Sequence, residues 1–256
     1  KAGAGGTIAT SALAKAKPDG NTILMVLAAH AINNSLYPSL PYNTRKDFAP
    51  VSLVATLPLV VAAPLATPAN NMQELIAYGK ANPTKLTYAS AGNGAANHLA
   101  GEMMKAMAGF QMTHVPFKGD APGMPAVISG EVSMMFPTLI AGMPNIKSGM
   151  MRPIAVTGAK RSSSLPDMPT ISESGIPGFE AASWGGVMGP AGLPTEIVNK
   201  LNADIIKILK MPDVAEKLSG LGAEIVGSTP QEFDLYLKNE IQKWGKVARD
   251  NHIQLD

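Results

Sequence analysis

Residues 85–109 read KLTYASAGNGAANHLAGEMMKAMAG. KLTYAS (85–90) reads as a strand. From residue 94 the period changes, and Leu99, Met103 and Met107 fall on one helical stripe. The strand ends in Ser90-Ala91-Gly92-Asn93-Gly94 and a helix begins at once. The first N–H groups of a helix have no partner within it, and its dipole places about half a positive charge there. Small residues let an anion approach, and a carboxylate fits such a cradle as well as a phosphate. An ordinary strand–helix turn rich in small residues explains the same composition, so both readings stand at this point.

Outward from this unit, strands and helices alternate. NTILMVLA (21–28) and LPLVVAAP (57–64) are apolar runs of the kind that form parallel strands covered on both faces. NMQELIAYGKANP (71–83) reads as a helix ending before Pro83. MTHVPF (112–117), VSMMF (132–136) and RPIAVTG (152–158) read as strands, with a helix at APGMPAVISGE (121–131) between the first two. Residues 159–194 are punctuated by Pro and Gly and read as loops. Further on, Ile197, Leu201, Ile205 and Leu209 have helical spacing. A capping box at Thr229-Pro230-Gln231-Glu232 opens a last helix with Phe233, Leu237, Ile241 and Trp244 as its expected buried stripe. This alternation predicts an α/β fold with mainly parallel sheets, arranged in two lobes with a ligand cleft between them at the carboxyl ends of the strands.

Composition narrows the function. In 256 residues, 46% are apolar and 16% charged, with a net charge of +2. No basic run or stripe appears and aromatics are 5%, which argues against nucleic acid as a partner. Cysteine is absent, which removes disulfides, thiolate metal sites and cysteine nucleophiles. The longest apolar stretch, residues 51–66, holds two prolines and falls short of the roughly 20 residues of a membrane span. Gly3, Gly5 and Gly6 suggest a phosphate loop, but the third glycine of a dinucleotide fingerprint is replaced by Ile8 and no lysine of a P-loop is present. The four histidines, His30, His98, His114 and His252, have no metal-binding spacing, and no G-x-S-x-G elbow occurs. His98 reads as a packed or capping residue. Lys118 and Asp120 lie on a loop after a strand, as a solvated turn or as part of a cleft wall.

The motif order is more specific than any one motif. It runs GAGGT (3–7), LYPSLPYN (36–43), DFAPVSLVA (47–55), KLTYASAGNGAANHLAGE (85–102), VPFKG (115–119), a long segment at 146–180 and WGGVMGPAGLP (184–194). In this order the whole chain resembles the substrate-binding proteins of tripartite tricarboxylate transporters, the Bug receptors. The resemblance implies a type II periplasmic-binding-protein fold, with lobe 1 at 1–62 and 182–256 and lobe 2 at 63–181. It implies a periplasmic, monomeric receptor without cofactor or metal, which captures a small carboxylic acid and hands it to membrane transporter subunits. It also implies that the opening glycines link a strand to a helix, and that a front part of lobe 1 precedes this sequence.

By the same resemblance, Ala28, Ala29 and His30 form one wall of the ligand site. Ser90, Ala91, Gly92, Asn93 and Gly94 form the other, with Lys118, Gly119, Asp120, Phe136 and Pro137 beside them. Ser133 and Pro137 stand where relatives often carry acidic residues, which favours a plain organic acid over an amino acid. Closure about hinges near 62–64 and 181–184 is expected. The rival readings are an enzyme on the same two-lobed fold and a regulatory effector domain.

Overall fold

The computed structural model describes residues 4–250 and 253, so Gly3 and His252 lie outside the described residues. The chain divides into two compact units. The first holds the residues up to Thr56, then Trp184–Leu218, then Glu224 onward; the second holds Leu57–Ser183 and Ser219–Ala223. The divisions fall at 56/57 and 183/184, whereas the sequence suggested 62/63 and 181/182. Ser219–Ala223 belongs to the second unit because Gly222 meets it tightly: a Cβ there would lie 2.6 Å from Leu139.

In the first unit a sheet has the order β1-β8-β2-β9, with β1 at Leu24–Leu27, β2 at Phe48–Pro58, β8 at Ala182–Pro190 and β9 at Glu224–Ile225. β1 pairs antiparallel with β8, and β2 with β9. β1 was expected to be a parallel strand covered on both faces. Among the described residues it pairs with β8 alone, antiparallel, with Val26 buried and Met25 and Leu27 about half exposed. Period-2 alternation was hidden in the sequence because both faces carry apolar residues.

Helix α9 (Pro230–Asp250) packs against β8 so closely that a Cβ on Gly186 would fall 2.2 Å from the Phe233 ring. Its capping box forms: Thr229 N–H donates to Glu232 Oε2 at 2.8 Å, and Glu232 N–H donates to Thr229 Oγ1 at 3.2 Å. The buried face includes Phe233, Leu237, Glu240 and Trp244, while Ile241 is only partly covered. Glu240 is inside because its Oε2 accepts from both indoles, Trp184 at 2.9 Å and Trp244 at 2.7 Å. On α7 (Thr195–Leu209), Leu209 of the spaced set is buried while Ile197, Leu201 and Ile205 are partly covered. Val198, Asn202 and Leu209 are buried, and Asn202 donates to the Val51 and Ser228 carbonyls.

The second unit has a sheet of order β5-β4-β6-β3-β7. These strands are β3 (Val60–Ala63), β4 (Thr87–Ser90), β5 (Thr113–Pro116), β6 (Met134–Met135) and β7 (Arg152–Val156). β4 is parallel to β5 and β6, while β3 is antiparallel to β6 and β7. The sheets are therefore mixed rather than mainly parallel. Met124, Met135 and Met151 fill the core beside Ala62 and Ala89, as expected of a flexible side chain that fits irregular gaps. Helix α4 (Ala96–Ala108) lies directly on β4. Gly101 permits this contact, since a Cβ there would fall 2.3 Å from the Tyr88 ring.

Candidate functional site

Strands β4, β5 and β6 run in parallel register, with Ser90 opposite Pro116 and Ala89 opposite Met135. Each gives way at its carboxyl end to a helix: α4, α5 (Asp120–Ile128) and α6 (Leu139–Lys147). Three helix N-termini thus gather at one edge of the sheet, where open α/β sheets bind ligands. Their connecting loops are tied together: Phe117 N–H donates to the Ser90 carbonyl at 3.0 Å, and Gly119 N–H to the Ala91 carbonyl at 3.1 Å. Gly92 is required in this junction. Its φ is 123°, and a Cβ would meet the Phe117 carbonyl oxygen at 3.1 Å.

The amides of this loop are not all available, contrary to the cradle read from the sequence. Ala91 N–H donates to Asn97 Oδ1 (3.1 Å), Gly92 N–H to Ser90 Oγ (3.0 Å) and Gly94 N–H to His98 Nδ1 (3.2 Å). Among the described residues no acceptor takes the N–H of Asn93, Ala96 or Asn97. The open donors are therefore one loop amide and the first turn of α4, with the loop held rigid behind them.

Asp120 is the tie between the helices. Its Oδ1 accepts from Asn97 Nδ2 on α4 at 2.7 Å, and its Oδ2 accepts from Thr138 N–H, at the cap of α6, at 3.2 Å. Burial raises the Asp120 carboxyl above the ordinary range, and the bonds from Thr138 and Asn97 oppose that rise. Its oxygens face neighbouring helices, so its role at the edge is to fix Asn97 and Thr138.

A stack of rings lies beneath the loop. His114 is sandwiched between Tyr88 (centroids 4.9 Å apart) and His98 (4.1 Å apart), with interplanar angles of 24° and 15°. His114 Nε2 sits 2.6 Å from Ser90 Oγ. Burial, then the neighbouring His98, lowers the His114 pKa to about 4. The Tyr88 hydroxyl donates to Glu102 Oε1 at 2.6 Å, and burial raises its pKa.

Other expected residues are placed differently. Lys118 is exposed on the second loop. Phe136 is fully buried, edge-on to Tyr88 at 5.9 Å, and Pro137 is buried with its carbonyl accepting from Val60 N–H. Both are packed among core residues of the second unit. In the first unit, Ala28 is buried and Ala29 partly so, at the start of α2 (Ala29–Leu36). His30 is 3% exposed, with Nε2 at 3.0 Å from the Thr44 carbonyl and its ring packed against Tyr42 and Phe48. The structure packs its ring in the core of the first unit.

Asn97, His98, His114 and Thr138 complete the edge and were not assigned to it from sequence. The i,i+4 spacing of Gly94 and His98 was a usable capping signal; nothing local marks His114 or Thr138. Among the described residues no group of acidic, histidine or cysteine side chains is arranged to hold a metal ion. Among the same residues, no helix is long and apolar enough to cross a membrane.

A family model described as "Tripartite tricarboxylate transporter family receptor" matches residues 1–253. Among solved structures, the chain is similar to Rpa4515 of R. palustris with adipate, at 37% identity and a TM-score of 0.94, over 98% of this chain and 84% of that one. It is similar to the periplasmic binding protein BugD, at 35% identity and a TM-score of 0.94, over 100% of this chain and 86% of that one. It is also similar to MatC from Rhodopseudomonas palustris with bound malate, at 31% identity and a TM-score of 0.90, over 96% of this chain and 85% of that one.

Proposed function

The chain belongs to the tripartite tricarboxylate transporter receptor family, and on that premise we propose that it captures a small carboxylic acid in the periplasm and delivers it to the membrane subunits of such a transporter. The observation that carries the ligand class is the edge where α4, α5 and α6 begin. It offers open N–H donors at Asn93, Ala96 and Asn97 within the field of converging helix dipoles, without a lysine or arginine among them. Adipate and malate in two similar proteins agree with this chemistry. Ser90–Gly94, Lys118 and Gly119 stay within the proposal as backbone that lines the ligand.

A thermal-shift screen of mono-, di- and tricarboxylic acids, with adipate and malate as first probes and sugars and purines as controls, tests the class. An acid at 100 times its Kd stabilises the native state by about 2.7 kcal/mol. A shift from sugars alone would overturn the reading, as would turnover of the acid. Ala96→Pro then tests the donors. Ala96 is the first residue of α4 and follows an extended Ala95 (φ −75°, ψ 155°), so proline fits the helix and removes only the N–H. A charge-assisted bond contributes about 1.5–3 kcal/mol, so affinity should fall about ten- to a hundredfold while the melting temperature holds.

A further inference from the structure

We propose that His98 and His114 are positioning residues for the ligand loop, two neutral imidazoles that hold Ser90–Gly94 from behind and so set its open donors. This rests on the carboxylate-capture reading above. Each ring fixes one point of the loop. His98 Nδ1 accepts the Gly94 N–H at 3.2 Å, which requires a lone pair on Nδ1 and leaves the ring proton on Nε2. His114 Nε2 bonds Ser90 Oγ at 2.6 Å, and that oxygen accepts the Gly92 N–H at 3.0 Å. The two amides so fixed flank Asn93, whose own N–H has no acceptor among the described residues. The loop therefore presents the Asn93 amide only while both anchors hold.

Geometry around the pair disfavours charge on both rings at once. The rings stack at 4.1 Å, where a second positive charge would meet the first face to face. Tyr88 of β4 closes the other face of His114. The nearby charges are Glu102 and Lys105 of α4. They form an ion pair of 2.7 Å with each other, and Glu102 also accepts from the Tyr88 hydroxyl. Burial lowers the His114 pKa, a proton on His98 would lower it further, and the Glu102 carboxylate opposes the fall. An imidazolium at His98 would lose its acceptor and turn a donor toward the Gly94 N–H. The arrangement thus explains why two histidines lie behind an anion site without serving as its cations.

The test combines a spectroscopic signature with rescue. Long-range 1H–15N spectra of the uniformly labelled full chain should show His98 protonated at Nε2 alone near neutral pH. His98→Leu should speed exchange of the Gly94 amide and weaken adipate binding about three- to tenfold, the size of one neutral hydrogen bond. His98→Asn places a carbonyl oxygen near the Nδ1 position and should restore both. His114→Phe keeps the stack, releases Ser90 and should speed exchange at Gly92. A proton on Nδ1 of His98, or wild-type exchange and affinity in both His98→Leu and His114→Phe, would overturn the proposal. If wild-type protein bound no carboxylate, the parent reading would fall, and the tautomer and Gly94 exchange would still decide this one. If His98→Leu failed to fold, the wild-type tautomer would decide it.

Discussion

Two strand-to-helix junctions of this molecule look alike in sequence and differ in chemistry. At the first, β1 passes into α2 through Ala28 with no loop. Ala28 is itself helical (φ −51°, ψ −29°), and the histidine that follows is sealed against Tyr42 and Phe48. At the second, β4 passes into α4 through five residues, two of them glycines with positive φ, and side chains hold three of the loop amides. Both histidines, His30 and His114, have their pKa pushed down to about 4 by burial. One ring serves packing and the other serves a loop. A lowered pKa therefore marks burial here, and only the hydrogen-bond partners reveal which histidine stands behind a site.

The comparison can be broken at its stronger end. Asp120→Ala leaves Asn97 Nδ2 and Thr138 N–H without their carboxylate, and should cost about 2–3 kcal/mol in urea unfolding, with loss of whichever carboxylic acid the thermal-shift screen identifies. Retained binding would show that α4, α5 and α6 are placed without this tie. Gly92→Ala forces a side chain to φ 123° and against the Phe117 carbonyl, and should cost about 1–3 kcal/mol. Ala29→Gly at the other junction changes one helical residue by about 0.5–1 kcal/mol, with adipate affinity preserved.

The smallest effect sharpens the contrast. His30→Leu removes a ring whose Nδ1 has no partner, along with the bond to Thr44, and should change stability by about 1 kcal/mol or less at pH 8 without affecting the ligand. Its signature lies in acid. A histidine whose folded pKa is about 4 and whose unfolded value is 6.5 takes up its proton on unfolding between those limits. Its contribution is whole above about 6.5 and is lost as pH falls through about 4. Urea midpoints followed from pH 7 to 4.5 should thus fall less steeply in His30→Leu than in wild type, with the His114 part remaining. Equal slopes would mean that His30 titrates normally in the folded chain.

Local signals carried well into the structure where a few neighbouring residues decide the outcome. The capping box at Thr229 and Glu232 and the hand-over from strand to helix at Ser90 are of this kind. Burial read from periodicity went astray where a polar residue has a distant partner. Asn202 is buried on α7 because it donates to the Val51 and Ser228 carbonyls, and Glu240 is buried on α9 because it accepts from two indole N–H groups. At the site, the small-residue loop was legible. Its supports were not: His114 meets Ser90 across 24 residues, and Asp120 meets Asn97 across 23 and Thr138 across 18. The packing of the Phe136 ring on Tyr88 was hidden for the related reason that the two lie far apart in sequence.

The pairing of Trp184 and Trp244 on one carboxylate oxygen has an optical consequence. These are the only two tryptophans of the chain, and both lie in the first unit. Indole emission is then a private signal of that unit, with Glu240 as a shared reporter of its intactness. The second unit is dark at tryptophan excitation wavelengths and speaks only through its tyrosines and its circular dichroism. Chemical denaturation followed by emission and by far-ultraviolet dichroism on the same sample would compare the first unit alone with the backbone of the whole chain. Coincident curves would establish that they unfold as one cooperative body.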